Sequence, residues 1–122
     1  VVEMCHGGVF GDALEAASCP DTGEENAPRE VQGVLVMTAS NANENSLGLE
    51  NGYDSQLKAW VADQFAHKYA AQAASEIQSF TLHELYTDLY FKVSGSHVMM
   101  YNSMNFGDTR TIGLDEFVRN PN

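Results

Sequence analysis

Positive charge is scarce in this sequence: six Lys and Arg stand against 17 Asp and Glu, a formal net charge of -11. That balance speaks against nucleic acid or an anionic membrane surface as a partner, since either needs a cationic face to displace its counterions. Long apolar runs are missing as well, and no stretch approaches the roughly 20 residues needed to span a bilayer. Cysteine is limited to Cys5 and Cys19, too few for a disulfide framework, and the sequence sets no distance between them. A zinc site on Cys5, His6 and Cys19 lacks the paired C-x-x-C or H-x-x-x-H spacing of such sites. The N-x-N-x-N run at 41–45 hints at a calcium loop, but Ser46 and Gly52 stand where an EF-hand needs Gly and Glu. No metal and no other cofactor is therefore expected.

What is present suits a globular protein. Apolar residues make up 43% of 122 residues, enough for a core and for one domain at most. The opening V-V-E-M-C-H-G-G reads as a buried strand that ends abruptly in a tight turn, which puts the thiol of Cys5 at the carboxyl end of a strand. Open α/β sheets place their reaction sites there. The two glycines let backbone N–H groups approach a substrate closely, as an oxyanion hole requires. Strand periodicity sends Glu3 and Cys5 to the same face, so an acidic group sits beside the candidate nucleophile.

Residues 9–19 carry Ala13, Leu14, Ala16 and Ala17 and predict a short helix. The stretch from Pro20 to Glu30 is polar, acidic and broken by two prolines, hence an exposed loop. V-Q-G-V-L-V-M-T at 31–38 is the second strand, apolar at its end as a strand covered on both faces would be. A long Asn- and Gly-rich loop follows. A helix is expected from about Asp54, with Leu57, Trp60, Val61, Phe65 and Tyr69 along one face. A second helix starts near Thr81, where T-L-H-E has capping-box spacing, and carries Leu82, Leu85, Leu89 and Val93 before Ser94 and Gly95 stop it. S-H-V-M-M-Y at 96–101 is a third strand, and Ile112, Leu114, Phe117 and Val118 in the tail are available to dock. Strand, connection, strand, helices, strand is the grammar of a sheet with helical crossovers. Three strands and two to three helices make an incomplete α/β domain, whose other strands are expected upstream or from a partner chain.

Three runs, E-M-C-H-G-G, T-A-S-N-A-N-E-N-S and G-S-H-V-M-M-Y, in this order and spacing, resemble the legumain-type cysteine peptidases of the caspase-like clan. The likeness extends from Val1 to about Gly107, and C-H-G-G is also similar to the C-H-S-G run of metacaspases and clostripain-like enzymes. The resemblance implies a caspase-like three-layer α/β/α sandwich with a mostly parallel sheet, of which residues 1–122 would be the carboxyl-terminal part. It implies Cys5 as catalytic thiol, with its own N–H in the oxyanion hole, and Glu3, Ser46 and Asp54 in the pocket for the residue preceding the cleaved bond. Asn45 departs from the family, standing where a second serine is common, and the 20–30 loop looks longer than usual. The catalytic His, a neighbouring oxyanion Gly and a pocket Arg would lie upstream, in the half of the domain that must act as partner. A lysosomal, vacuolar or secreted location is what such a family implies.

Each candidate also has a plainer use. Free cysteines at strand ends are often small buried hydrophobes, Asp54 would serve as a helix N-cap, and His97 would be a core or edge histidine. His67 and His83 fall on predicted helices. His6 neighbours the thiol, but adjacent strand residues point to opposite faces, so a structural role is expected for it. A carboxylate at Glu3 inside a strand needs a partner or a site. The resulting expectation is an endopeptidase that cuts peptide or protein substrates after Asn, and after Asp at acid pH, through a thioester. A ligase or transamidase outcome, a clostripain-like Arg preference, and a non-catalytic remnant are the alternatives.

Overall fold

A computed structural model describes residues 1–18, 31–49, 51–60, 63–75 and 80–118. The expected 20–30 loop lies outside these residues, as do Cys19 and Val61. In chain order the elements are helix α1 (Gly8–Ser18), strands β1 (Val36–Thr38), β2 (Tyr53–Asp54) and β3 (Ala59–Trp60), helices α2 (Gln64–Ser75) and α3 (Leu82–Lys92), strand β4 (Met99–Tyr101), and helices α4 (Ser103–Phe106) and α5 (Leu114–Val118). Among these residues no helix is long and apolar enough to cross a membrane.

The core forms where apolar residues repeat at helical spacing. Leu82, Leu85, Leu89 and Val93 are all buried, on one stripe of α3 that continues into its C-cap. Thr81 and Glu84 close a reciprocal capping box at the start of α3. The helix ends at Lys92, ahead of Ser94 and Gly95, and the Val93 N–H returns to the Leu89 carbonyl. Phe65 and Tyr69 of α2, Leu35 and Met37 beside and on β1, Val98 before β4 and Leu114 of α5 complete the cluster. Leu114 docks as the tail pattern predicts.

The mostly parallel sheet is not what the described residues make. β1 and β4 pair antiparallel, Val36 with Tyr101 and Thr38 with Met99. One parallel bridge, Val2 with Thr38, adds the first segment to β1: the Val2 N–H donates to Met37 and its carbonyl accepts from Ala39. The first strand is thus reduced to a single bridged residue, because from Met4 on the chain turns, with the Gly7 N–H donating back to the Met4 carbonyl. The third strand starts at Met99 rather than Ser96, and the second is formed only from Val36.

The helix expected from Asp54 is also corrected. Tyr53–Asp54 and Ala59–Trp60 form a small hairpin instead. The Asp54 carboxylate accepts from the N–H groups of Gln56 and Leu57, and Lys58 adopts a left-handed φ of 52° to close the loop. Asp side chains that bond two residues onward favour turns over helix interiors. Helix α2 begins ten residues later, at Gln64, where Asp63 caps it by accepting from the Ala66 N–H.

Helix α1 covers β1 and β4 by close approach. A Cβ at Gly11 would run into the ring of Tyr101, and one at Gly8 would meet the Ala42 amide and the Tyr101 hydroxyl. Two glycines three apart therefore let this helix sit directly on β4, and they fix the position of the turn that precedes it.

Candidate active site

The turn bearing Cys5 is shaped by its neighbours. His6 holds a left-handed φ of 58°, a conformation uncommon outside glycine. Three long-range bonds hold it there. The His6 N–H donates to the Glu44 carbonyl at 2.8 Å, the His6 ring Nδ1 lies 3.0 Å from the Ala42 carbonyl, and the buried Ser40 hydroxyl donates to the Met4 carbonyl at 2.9 Å. The same Ser40 oxygen accepts from the Gly7 N–H at 3.1 Å. His6 is thus part of the scaffold, with its ring directed to the 39–47 loop and not to the sulfur beside it. Among the described residues no acceptor lies on the Cys5 N–H, although the N–H groups of His6 and Gly7 are both engaged.

Cys5 is exposed and free. Its sulfur lies 3.8 Å from the Ser46 carbonyl and 3.9 Å from the Ser46 hydroxyl, so two residues 41 positions apart meet. Glu3, also exposed, has its carboxyl held above the usual range, first by desolvation and then by the negative charge of Asp63. Asp54 is placed differently from Glu3, with its carboxylate bonded within the β2–β3 turn. Reading the sequence alone missed Asp63. Its signal was present as an Asp just ahead of the apolar Phe65 and Tyr69, but Asp54 offered the same N-cap pattern earlier and was preferred.

A second feature missed in sequence is Glu44. Its Oε1 accepts from the N–H groups of Asn41 at 2.9 Å and His97 at 2.7 Å, and its Oε2 lies 2.8 Å from His97 Nδ1. Burial pushes this carboxyl up, but the bonds from Asn41 and His97 and the His97 charge outweigh it and hold it below the ordinary value. His97 is neither core nor strand: its side chain is 68% exposed and hydrogen-bonded to Glu44. His67 is exposed on α2, and His83 is half-buried on α3. Among the described residues no group of three His, Cys, Asp or Glu side chains is arranged to hold a metal ion.

A free thiol on a sharp turn, faced by a hydroxyl and followed by a helix, is an arrangement suited to covalent catalysis by cysteine. The chain belongs to the Peptidase C13 family, a family of cysteine peptidases, whose model matches residues 15–113. That span takes in Glu44, Ser46, Asp54, Asp63 and His97 and leaves Glu3 and Cys5 ahead of it. No curated protein matches the chain.

Proposed function

We propose that this chain carries the nucleophile and part of the substrate pocket of a caspase-like, legumain-type endopeptidase that cleaves after Asn. The Cys5 thiolate attacks the carbonyl carbon of the residue before the cleaved bond, the amine leaves, and water then hydrolyses the thioester. An amine in place of water gives the transamidase or ligase outcome. The meeting of Cys5 with Ser46 is the observation that carries this reading, given membership of a cysteine peptidase family. The unengaged Cys5 N–H supports its assignment to the developing oxyanion.

Among the described residues no imidazole partners the Cys5 sulfur, since the rings of His6 and His97 are bonded to Ala42 and Glu44. The general base is therefore assigned to another segment of the same domain, which would act as partner to this part. In the pocket a substrate amide offers two N–H donors and one acceptor. Glu3 and Ser46 are the first candidates to receive it. Of the two carboxylates considered as companions, Asp63 is favoured by its electrostatic reach to Glu3, while Asp54 would have to leave its turn bonds. An ionised substrate Asp would meet like charge there, so it should be admitted only at acid pH.

The test uses matched Asn, Asp and Arg peptides with the full-length protein, comparing wild type with Glu3→Gln and Cys5→Ala. Cys5→Ala should abolish turnover. Glu3→Gln should lower kcat/KM for the Asn peptide by roughly 5- to 150-fold, the equivalent of about 1–3 kcal/mol for polar groups mispaired once the bound substrate covers them. Preferential cleavage of the Arg peptide by wild type would overturn the asparaginyl assignment, and turnover unaffected by Cys5→Ala would overturn the mechanism.

A further inference from the structure

Three segments far apart in sequence converge around Glu44. The Cys5 turn bonds to it through the His6 N–H and its own main-chain carbonyl; the start of the 39–47 loop bonds through the Asn41 N–H; the segment before β4 bonds through both the N–H and the ring of His97. Ser46, which faces the Cys5 sulfur, is two residues further along the same loop. All the carboxylate bonds of Glu44 are directed inward to the protein. A side chain so occupied is poorly placed to bind substrate and well placed to set where its neighbours stand.

We propose that Glu44, locked by His97, is the positioning residue that holds Ser46 against the Cys5 thiol. The inference rests on the reading of Cys5 and Ser46 as site residues. Ser46 has no helix or strand of its own to fix it, because the loop is irregular from Ala39 to Leu47. Its place is set by the bonds on either side of it. Ser40 and Ser96 pin the beginning of the loop, Ser96 by donating to the Ala39 carbonyl. Glu44 pins the part that adjoins Ser46, with four bonds to three segments.

The His97 ring gives this role a signature. It borders an open cleft of about 280 Å³ lined also by Tyr90, Ser94 and Gly95, and its side chain is open to solvent. Among the described residues, the charge that bears on Glu44 is that of His97, and Asp12, Glu15 and Glu44 all act on the neighbouring Tyr101. Glutamine at position 44 can still accept the Asn41 and His97 N–H bonds at its oxygen. Its amide N–H can donate to Nδ1 of a neutral His97, but it faces donor against donor once His97 is protonated.

The experiment measures alkylation of Cys5 by iodoacetamide in the full-length protein, read by mass mapping so that Cys19 is counted separately. Glu44→Ala and Glu44→Gln are each compared with wild type at pH 5 and pH 8, with peptide turnover and thermal melting alongside. Glu44→Ala should alkylate about tenfold faster than wild type at both pH values, the equivalent of one or two lost hydrogen bonds uncovering the thiol. Glu44→Gln should match wild type at pH 8 and move toward the alanine variant at pH 5. Where a peptide is turned over, KM should follow the same pattern. Unchanged alkylation in Glu44→Ala would overturn the proposal, as would a glutamine variant that tracks alanine at both pH values. A loss that follows melting alone would equally overturn it. The alkylation pattern without peptide turnover in wild type would support the positioning role and defeat the peptidase reading, so the two failures are distinct.

Discussion

The side of the molecule built on α3 and the side built on the Cys5 turn are held together by different forces. On the first, Leu82, Leu85 and Leu89 are at most 1% exposed, and their contribution scales with apolar area removed from water. On the second, Ser40, Glu44 and His6 are polar, and their hydrogen bonds link residues more than 30 positions apart. Apolar burial tolerates small errors of placement, whereas a hydrogen bond weakens steeply with angle and distance. The contrast teaches that the core sets the frame and the polar bonds set the geometry of the thiol within it.

Truncating the apolar side should give the largest loss. Leu89 is fully buried, and Leu89→Ala should lower unfolding stability by about 2–5 kcal/mol through lost transfer energy plus the cavity left behind. Chemical denaturation of the full-length protein measures it. A loss under about 1 kcal/mol would mean that α3 is not the centre of the core.

Ser40→Ala sharpens the comparison from the other side. It removes the hydroxyl that donates to the Met4 carbonyl and accepts from the Gly7 N–H, and leaves only the 3.2 Å bond between those two groups. Stability should fall by about 1–3 kcal/mol, less than for Leu89→Ala. Cys5 alkylation should nevertheless change more in Ser40→Ala than in Leu89→Ala. If the leucine variant moved the thiol more, the division between frame and geometry would fail.

The smallest effects are electrostatic and carry opposite signs. Glu44 has a lowered carboxyl pKa in the fold, so its contribution is present above the ordinary carboxylate value and is lost as pH falls through the lowered one. Glu3 has a raised pKa from desolvation and Asp63, so the folded state binds the proton more tightly and stability declines as pH rises from the ordinary value through the raised one. Thermal melts across pH should therefore show Glu44→Ala losing stability at neutral pH and moving toward wild type in acid, below the lowered carboxyl value. Glu3→Gln should instead gain at neutral pH and converge in acid. Solvent screening at the exposed Glu3 and the half-buried Glu44 keeps both shifts below those of the two preceding variants. Two curves of the same sign would contradict the placement of one of these carboxylates.

The three elements read most directly from sequence were those that local rules determine. The capping box at Thr81, the apolar stripe of α3 and the docking of Leu114 needed only spacing. The short helix after the Cys5 turn was equally readable, though not its reliance on Gly8 and Gly11 to seat it on Tyr101. Asp54 and Asp63 show where local rules fail. Both precede apolar residues, and the choice between turn and N-cap depended on whether Tyr53 could pair with Trp60, which spacing does not reveal.

By itself the sequence determined that the chain has an apolar core, one well-capped buried helix, a free thiol ahead of two glycines, and a motif order that resembles the legumain-type peptidases. Tertiary structure alone decided that β1 and β4 run antiparallel, that Ser46 stands against Cys5, that Asp63 caps α2 while Asp54 closes a turn, and that Glu44 joins three segments. The physical reason is range. Helical periodicity and capping act within four residues, so they are written in adjacent letters. The bonds at the thiol close loops of 30 residues and more, and their partners are chosen only once the core has brought the segments together.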